Sequence, residues 1–365
     1  MIPWAKPNYH GNEEKYVRQA LKSTWISDGS FIKNFEKRFC SYVSSRFAIS
    51  VTNGTTALHL VYLAMGLKRG DEIIVPGFGY MAAANIALQM GIKPVFADVD
   101  PETFCVTAEN IKKKINSKTK LIVVIHTYGN MCDLNSIIKI AKKKNIPVLE
   151  DSAESFGSKY KGRQSGGIAD IGTFSFQATK TITTGEGGMI VTKKNKIFTE
   201  KLQAYRNHGV KVTRYFHHFP GHNFRLTNVQ AAIGYAQLQK FSRIIKKRKT
   251  IYDTYKNLLQ NIDGLKLQKF SNNIKPVVWT FAVVLNPRFF PKRDNLIKKM
   301  KAKGVETRNG FYSPGRLPIY NKFKTSHLKN SNMLSRNIIC LPFFTSLQKK
   351  EISFIVKTLL SFKRT

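Results

Sequence analysis

From about residue 47 to 176 the chain alternates short, nearly continuous apolar runs with stretches whose apolar residues recur at helical spacing. The runs 71–76, 94–99, 120–126, 146–151 and 171–176 are short and rich in β-branched residues, so the pattern predicts strands. Between them lie segments such as 135–144, where Ile137, Ile138 and Ile140 mark one helical face. Strands that are apolar throughout and separated by helices predict a mainly parallel sheet covered on both faces. Ligands bind such sheets beyond the carboxyl ends of the strands, which directs attention to the residues just after each run.

Beyond residue 209 the pattern changes. The segment 223–256 predicts a long helix with Ala231, Ala232, Ile233, Ala236 and Leu238 among its apolar positions. A strand over 277–285, a Lys-rich helix over 295–303 ending at Gly304, an extended piece from 305 to 308 and a helix over 348–360 complete the chain. This organisation predicts a large domain, 1–244, and a smaller C-terminal α/β domain, 245–365. The 365 residues are 42% hydrophobic and 12% aromatic, which supports a sizeable core and excludes a disordered chain. No run approaches the ~18 apolar residues of a membrane span. The start, Met1-Ile2-Pro3-Trp4-Ala5-Lys6-Pro7, lacks the build of a secretion signal. A soluble, cytoplasmic protein without a membrane partner is expected.

Charge changes the picture less than its size suggests. The 60 Lys+Arg against 22 Asp+Glu give +38, which invites a nucleic-acid reading. Yet the clusters at 112–114, 142–144 and 298–299 sit beside apolar residues at helical spacing, as solvated helix faces do, and only 243–249 is dense enough to be a patch. A Lys-biased surface without a nucleic-acid partner is expected, with a field suited to an anionic small substrate. The four cysteines, Cys40, Cys105, Cys132 and Cys340, show neither CxxC nor Cys/His ligand spacing, so no disulfide framework and no metal are expected.

Three strand ends carry candidate chemistry. Asn53-Gly54-Thr55-Thr56 is a strand-to-helix turn whose glycine permits close approach and whose amides and hydroxyls suit a phosphate, although an ordinary capped turn has the same look. Glu150-Asp151-Ser152-Ala153-Glu154 ends an apolar strand in carboxylates. A buried Asp151 needs a cationic partner such as a protonated ring nitrogen, the alternative being a helix cap. Lys180 follows Ser175 by five residues and stands in a small, polar, Gly-rich stretch instead of on an amphipathic face. A lysine enclosed in this way loses proton affinity and becomes a Schiff-base nucleophile, while Ser175 lies near enough to hold a phosphate.

Taken jointly, NGTTALHL, GDEIIVPGFGY, LEDSAESFGSKYKG, DIGTFSFQATKTITTGEGGMI and HNFRLTNVQAAIG resemble the DegT/StrS-type nucleotide-sugar aminotransferases, a fold type I branch of the aspartate-aminotransferase superfamily. The resemblance covers residues 2–357. It implies the α/β fold of that type, with a mainly parallel central sheet and a smaller C-terminal domain, and pyridoxal 5'-phosphate as cofactor. Lys180 is then the residue that binds the cofactor covalently, and Asp151 pairs with its ring nitrogen. Glu154 lies near the ring, and Tyr80 stacks on it. Gly54, Thr55 and Ser175 hold the phosphate. Asn223, with Arg225 or Asn228 as alternatives, reaches the phosphate of a partner subunit in a homodimer with shared sites.

One subgroup of the family carries His at the lysine position and removes a hydroxyl; Lys180 implies a transaminase, with glutamate as amino donor. Trp25, Ser27, His217 and Tyr312 look like substrate-binding residues of the branch that aminates a GDP-linked 4-keto-6-deoxymannose to perosamine, though Trp25 and His217 also suit plain packing. Gly315 departs from that branch, which usually has His there, so a UDP- or dTDP-linked 4-keto-6-deoxyglucose is an alternative substrate. A cofactor-dependent sugar dehydratase or lyase, or a basic nucleic-acid-binding regulator on the same fold, are the readings from other classes.

Overall fold

The computed structural model of the chain describes residues 1–9 and 11–364. Strands β1 (Phe47–Val51), β2 (Glu72–Pro76), β3 (Lys93–Ala97), β4 (Thr119–Ile125) and β5 (Val148–Asp151) are followed by a short hairpin, β6 (Lys159–Tyr160) and β7 (Arg163–Gln164), then by β8 (Ile171–Ser175) and β9 (Gly188–Thr192). All but the hairpin form one seven-stranded sheet in the order β1-β9-β8-β5-β4-β2-β3. The neighbours from β8 through β3 are parallel, as the apolar runs predict. Strand β9 was not foreseen in this role: it runs antiparallel to both β1 and β8.

Helices α1 (Glu13–Lys22), α2 (Ser30–Val43), α3 (Gly54–Ala64), α4 (Ala82–Gln89), α5 (Ala108–Lys112), α6 (Leu134–Lys142) and α7 (Lys196–Arg206) accompany this sheet. Separate apolar clusters form around it: Leu60, Ile73, Val75 and Leu121 in one, Ile74, Ile122, Val124 and Ile137 in another. Alternate residues of β2 and β4 thus enter opposite layers, which is why these strands are apolar throughout.

The expected long helix over 223–256 is two helices, α8 (Asn228–Gln239) and α9 (Phe241–Leu259). The break at Lys240, with φ −102° and ψ 13°, lets α8 lie on α1 and α2 while α9 turns toward the C-terminal helix α12 (Lys349–Leu360). The start of α8 is fixed by Thr227, which forms a capping box with Gln230, so Asn223 is not its cap.

Strands β10 (Leu265–Leu267), β12 (Phe281–Leu285), β13 (Arg308–Asn309) and β14 (Ile338–Leu341) make a second, antiparallel sheet in the order β10-β12-β14-β13. Between the first two of them, β11 (Ile274–Lys275) pairs with β6. Helices α10 (Arg293–Ala302) and α11 (Lys329–Asn337) lie in the same region. The strand expected from 277 starts only at Phe281, because 277–279 is held by bonds to side chains and to Tyr128 instead of a ladder. The expected boundary after residue 244 falls within α9. Residues 2–4 also reach across to the C-terminal sheet, with Ile2 bridged to Val305 and the Trp4 carbonyl accepting from the Phe343 N–H. Among the described residues no helix is long and apolar enough to cross a membrane.

Candidate active site

A cavity of 830 Å³ opens at the carboxyl ends of the parallel strands, where this sheet architecture places ligands. Gly54, Thr55, Tyr80, Asp151, Glu154, Ser175 and Lys180 all line it. After β1 the chain turns at Asn53, whose side chain accepts the Thr56 N–H at 2.8 Å, while the Thr56 hydroxyl accepts the Asn53 N–H at 3.1 Å. This capping box starts α3 and leaves the amides of Gly54 and Thr55 without intrahelical partners, as at any helix N-terminus. Only glycine fits at 54, since a Cβ there would lie 2.9 Å from the Ser175 Cβ. The turn and the end of β8 therefore form one tight cradle.

Lys180 is set by a clamped loop. Its N–H donates to the Gln177 carbonyl at 2.8 Å, and the Gln177 side chain accepts from both the N–H and the hydroxyl of Thr179. The ammonium is largely buried, 4.0 Å from the Glu154 Oε1. Burial lowers its proton affinity, opposed by the charges of Glu154, Asp151 and Glu186. Asp151, 7% exposed, has its pKa raised by burial. Its carboxylate accepts one backbone N–H, from Ala153 at 3.1 Å. No helix begins there, so the capping alternative for Asp151 falls away.

Glu154 is 3% exposed, and its Oε2 accepts the Tyr128 N–H at 2.9 Å. That bond helps hold Tyr128 at φ 59°, a left-handed conformation uncommon for a bulky residue. Burial raises the Glu154 carboxyl to about 7. The folded chain thus binds this proton more tightly than the unfolded one. The associated stability is complete below the ordinary value of 4.5 and is lost as pH rises through 7. Glutamine keeps the acceptor for Tyr128 but cannot ionise. Urea unfolding of the cofactor-free chain at fixed protein concentration should show wild type losing on the order of 3 kcal/mol relative to Glu154→Gln between about pH 4.5 and 8. Parallel stability curves would refute the assignment.

The remaining expected residues do not line this cavity in a single chain. Trp25 is 66% exposed, and its carbonyl accepts from the Asn228 side chain at 2.7 Å. Ser27 and Arg225 border a separate cleft with Arg206 and Lys211. Asn223 accepts from the Arg225 Nε at 3.0 Å. His217, bonded through Nδ1 to the His208 carbonyl at 2.8 Å, lies in a surface loop. Tyr312 lies beside the guanidinium groups of Arg293 and Arg316, 5.7 and 4.9 Å from its ring centroid. At Gly315 a Cβ would lie 2.8 Å from the Thr325 Oγ1, so this packing has no room for the histidine of the resembling branch.

Phe311, of the Phe311-Tyr312 pair that resembles the perosamine branch, lines the cavity wall; two further aromatic residues there, Trp4 and Trp279, were not anticipated. Each sits in or beside an apolar run, where an aromatic side chain carries no signal that separates a cavity wall from core.

The architecture and the strand-end constellation define an enzyme of the sugar-aminotransferase type, and comparison with known proteins agrees. Residues 7–360 match the model of the DegT/DnrJ/EryC1/StrS aminotransferase family, and the chain belongs to that family. It is 39% identical over 364 residues to GDP-perosamine synthase of Escherichia coli O157:H7, covering 99% of this chain and 98% of the relative. Among solved structures, the aminotransferase TlmJ from Streptoalloteichus hindustanus superimposes with a TM-score of 0.93 at 26% identity, covering 99% of this chain and 98% of the other. The E. coli GDP-4-keto-6-deoxy-D-mannose-3-dehydratase with bound hydrated PLP gives 0.91 at 26% identity, covering 98% and 99%.

Proposed function

We propose that this chain is a pyridoxal-phosphate-dependent aminotransferase that moves an amino group from glutamate to the 4-keto carbon of a GDP-linked 4-keto-6-deoxyhexose, giving a perosamine-type product. The observation that carries this reading is a buried lysine facing two buried carboxylates, in a chain matched end to end by a GDP-perosamine synthase. Lys180 in place of histidine favours amine transfer over dehydration. The test is a screen of GDP-, UDP- and dTDP-linked 4-keto-6-deoxy sugars with glutamate, read by mass spectrometry. Amination of the GDP sugar is expected; product from the UDP or dTDP sugars alone would overturn the assignment.

The residues present fit the cofactor. The turn at Gly54, packed too tightly against Ser175 for a Cβ, suits a phosphate, and among the described residues the one hydrogen bond to the Asp151 carboxylate, from Ala153, leaves it able to take a cation. When bound, pyridoxal phosphate supplies an electron sink that makes the Cα–H of an amino acid acidic. The amides of Gly54 and Thr55 and the Ser175 hydroxyl would receive the phosphate. Asp151 would keep the proton on the ring nitrogen, and Tyr80 would cover the ring. Lys180 would hold the cofactor covalently and, as the free amine, would take the proton from the donor's Cα; Glu154, whose carboxyl burial raises to about 7, would share that proton. The +38 surface draws the nucleotide-linked substrate in.

We assign the sites to a cytoplasmic homodimer and the chain to two domains, 1–244 for the cofactor and a smaller 245–365. Trp25, Ile26, Val212, Tyr215 and Phe216 are each more than half exposed, apolar surface that a second copy would cover. On this reading Asn223 completes the partner's phosphate pocket, and Trp25, Ser27, His217 and Tyr312 contribute to substrate binding. Mixing inactive Lys180→Ala chains with inactive Asn223→Ala chains should therefore return activity, because one site of the mixed dimer inherits both lesions and the other neither. Demonstrated subunit exchange without recovery would show that the site is not shared through Asn223.

A further inference from the structure

Lys180 has a second close neighbour that the proposed chemistry does not use. Its Nζ lies 4.0 Å from the ring centroid of Trp279, as close as it lies to the Glu154 carboxylate. Among the described residues Nζ makes no hydrogen bond, so this face and this carboxylate are its immediate surroundings.

Trp279 is locked on its other sides. Its indole N–H donates to the Thr179 carbonyl at 2.9 Å, directly beside Lys180 in sequence. Its backbone N–H donates to the Tyr128 carbonyl at 3.1 Å. Its own carbonyl accepts from Arg248 Nη2 at 2.6 Å, while Arg248 Nε donates to the Val278 carbonyl at 3.0 Å. Trp4 meets the ring edge-on at 5.8 Å, and Phe311 stacks parallel to it at 6.3 Å. Trp279 comes from the segment leading into β12, whereas Lys180 follows β8, so the contact spans the two sheets. A side chain this constrained presents its face without further ordering at the moment the ammonium arrives.

We propose that Trp279 is a positioning residue that receives Lys180 on its indole face as the ammonium formed when the released lysine takes up a proton, holding it beside Glu154 for delivery of that proton and for return to the cofactor. This rests on Lys180 being the cofactor-binding lysine. A buried ammonium without hydrogen-bond acceptors is costly, and the ring quadrupole offsets part of that cost in a water-poor site. The charged groups acting on it are Glu154, Asp151 and Glu186, and Arg248 lies behind the ring on the Trp279 carbonyl. None of them is changed by substitution at 279.

The test uses the full chain freed of cofactor. Lys180 is titrated by the pH dependence of its acylation with an amine-selective reagent, quantified by mass spectrometry. Trp279→Leu keeps an apolar filling without the quadrupole and should lower the Lys180 midpoint by about one pH unit; Trp279→Phe should lower it by a fraction of that. Should the leucine variant fail to fold, singly and multiply fluorinated tryptophan weakens the ring quadrupole without changing its shape. The chain has three tryptophans, of which Trp279 is the one facing Lys180 among the described residues, so the midpoint should fall stepwise with fluorine content. A midpoint that does not move in Trp279→Leu, or across the fluorinated series, overturns the proposal. Failure of the underlying functional reading looks different: Lys180 would then not be trapped by borohydride with pyridoxal phosphate, whichever residue stands at 279.

Discussion

Lys180→Ala should reduce amino transfer by at least about 10³-fold, because it removes both the covalent anchor and the group that moves the Cα proton. The proposed phosphate cradle of Gly54, Thr55 and Ser175 and the Asp151 carboxylate remain in the variant. Pyridoxamine phosphate should therefore still bind, measurable by equilibrium dialysis. A small primary amine supplied in solution should restore part of the rate by replacing the lost proton carrier. Near-wild-type turnover without added amine would remove Lys180 from the chemistry.

The second large effect is expected at Asp151. Asparagine there keeps an oxygen for the Ala153 N–H, so the turn after β5 survives and the charge alone is lost. A hydrogen bond to an ionised group contributes about 1.5–3 kcal/mol, which corresponds to roughly a ten- to hundredfold fall in kcat with cofactor still bound. Burial already raises the proton affinity of this carboxylate, the condition in which a cationic partner matters most. Full activity in Asp151→Asn, measured at saturating cofactor, would reduce Asp151 to a turn residue.

Much of this architecture was legible in the sequence, for a physical reason. Strands β2 and β4 lie in the middle of a sheet covered on both faces, so each carries an unbroken apolar run, Ile73–Val75 and Leu121–Ile125, while the neighbouring strands β5 and β8 end in the polar residues Asp151 and Ser175. The direction of β9 was not legible. An apolar run such as Gly188–Thr192 has the same composition in either orientation, and its pairing depends on β1, far earlier in the chain. The break at Lys240 was hidden because the residues on both sides favour helix, and tertiary packing of α8 and α9 in different directions decides it. Trp279 was missed for a related reason. Among Val277, Val278 and Phe281 it has the look of core, and only the fold brings it to Lys180.

The antiparallel placement of β9 has a consequence for how the polypeptide matures. Its register puts Gly188 opposite Val51 and Thr192 opposite Phe47, and a Cβ at 188 would lie 2.5 Å from the Asn53 carbonyl. The floor of the phosphate turn is thus made of chain synthesised long after the turn itself. While a nascent chain grows, β1 lacks its strand partner β9, and that edge is open to mistaken pairing until β9 has emerged. Lys180 and the turn become usable together only once the chain has passed Thr192, the end of β9. A ligand of this turn therefore stabilises the completed large sheet and does not guide the pairing of its first strands.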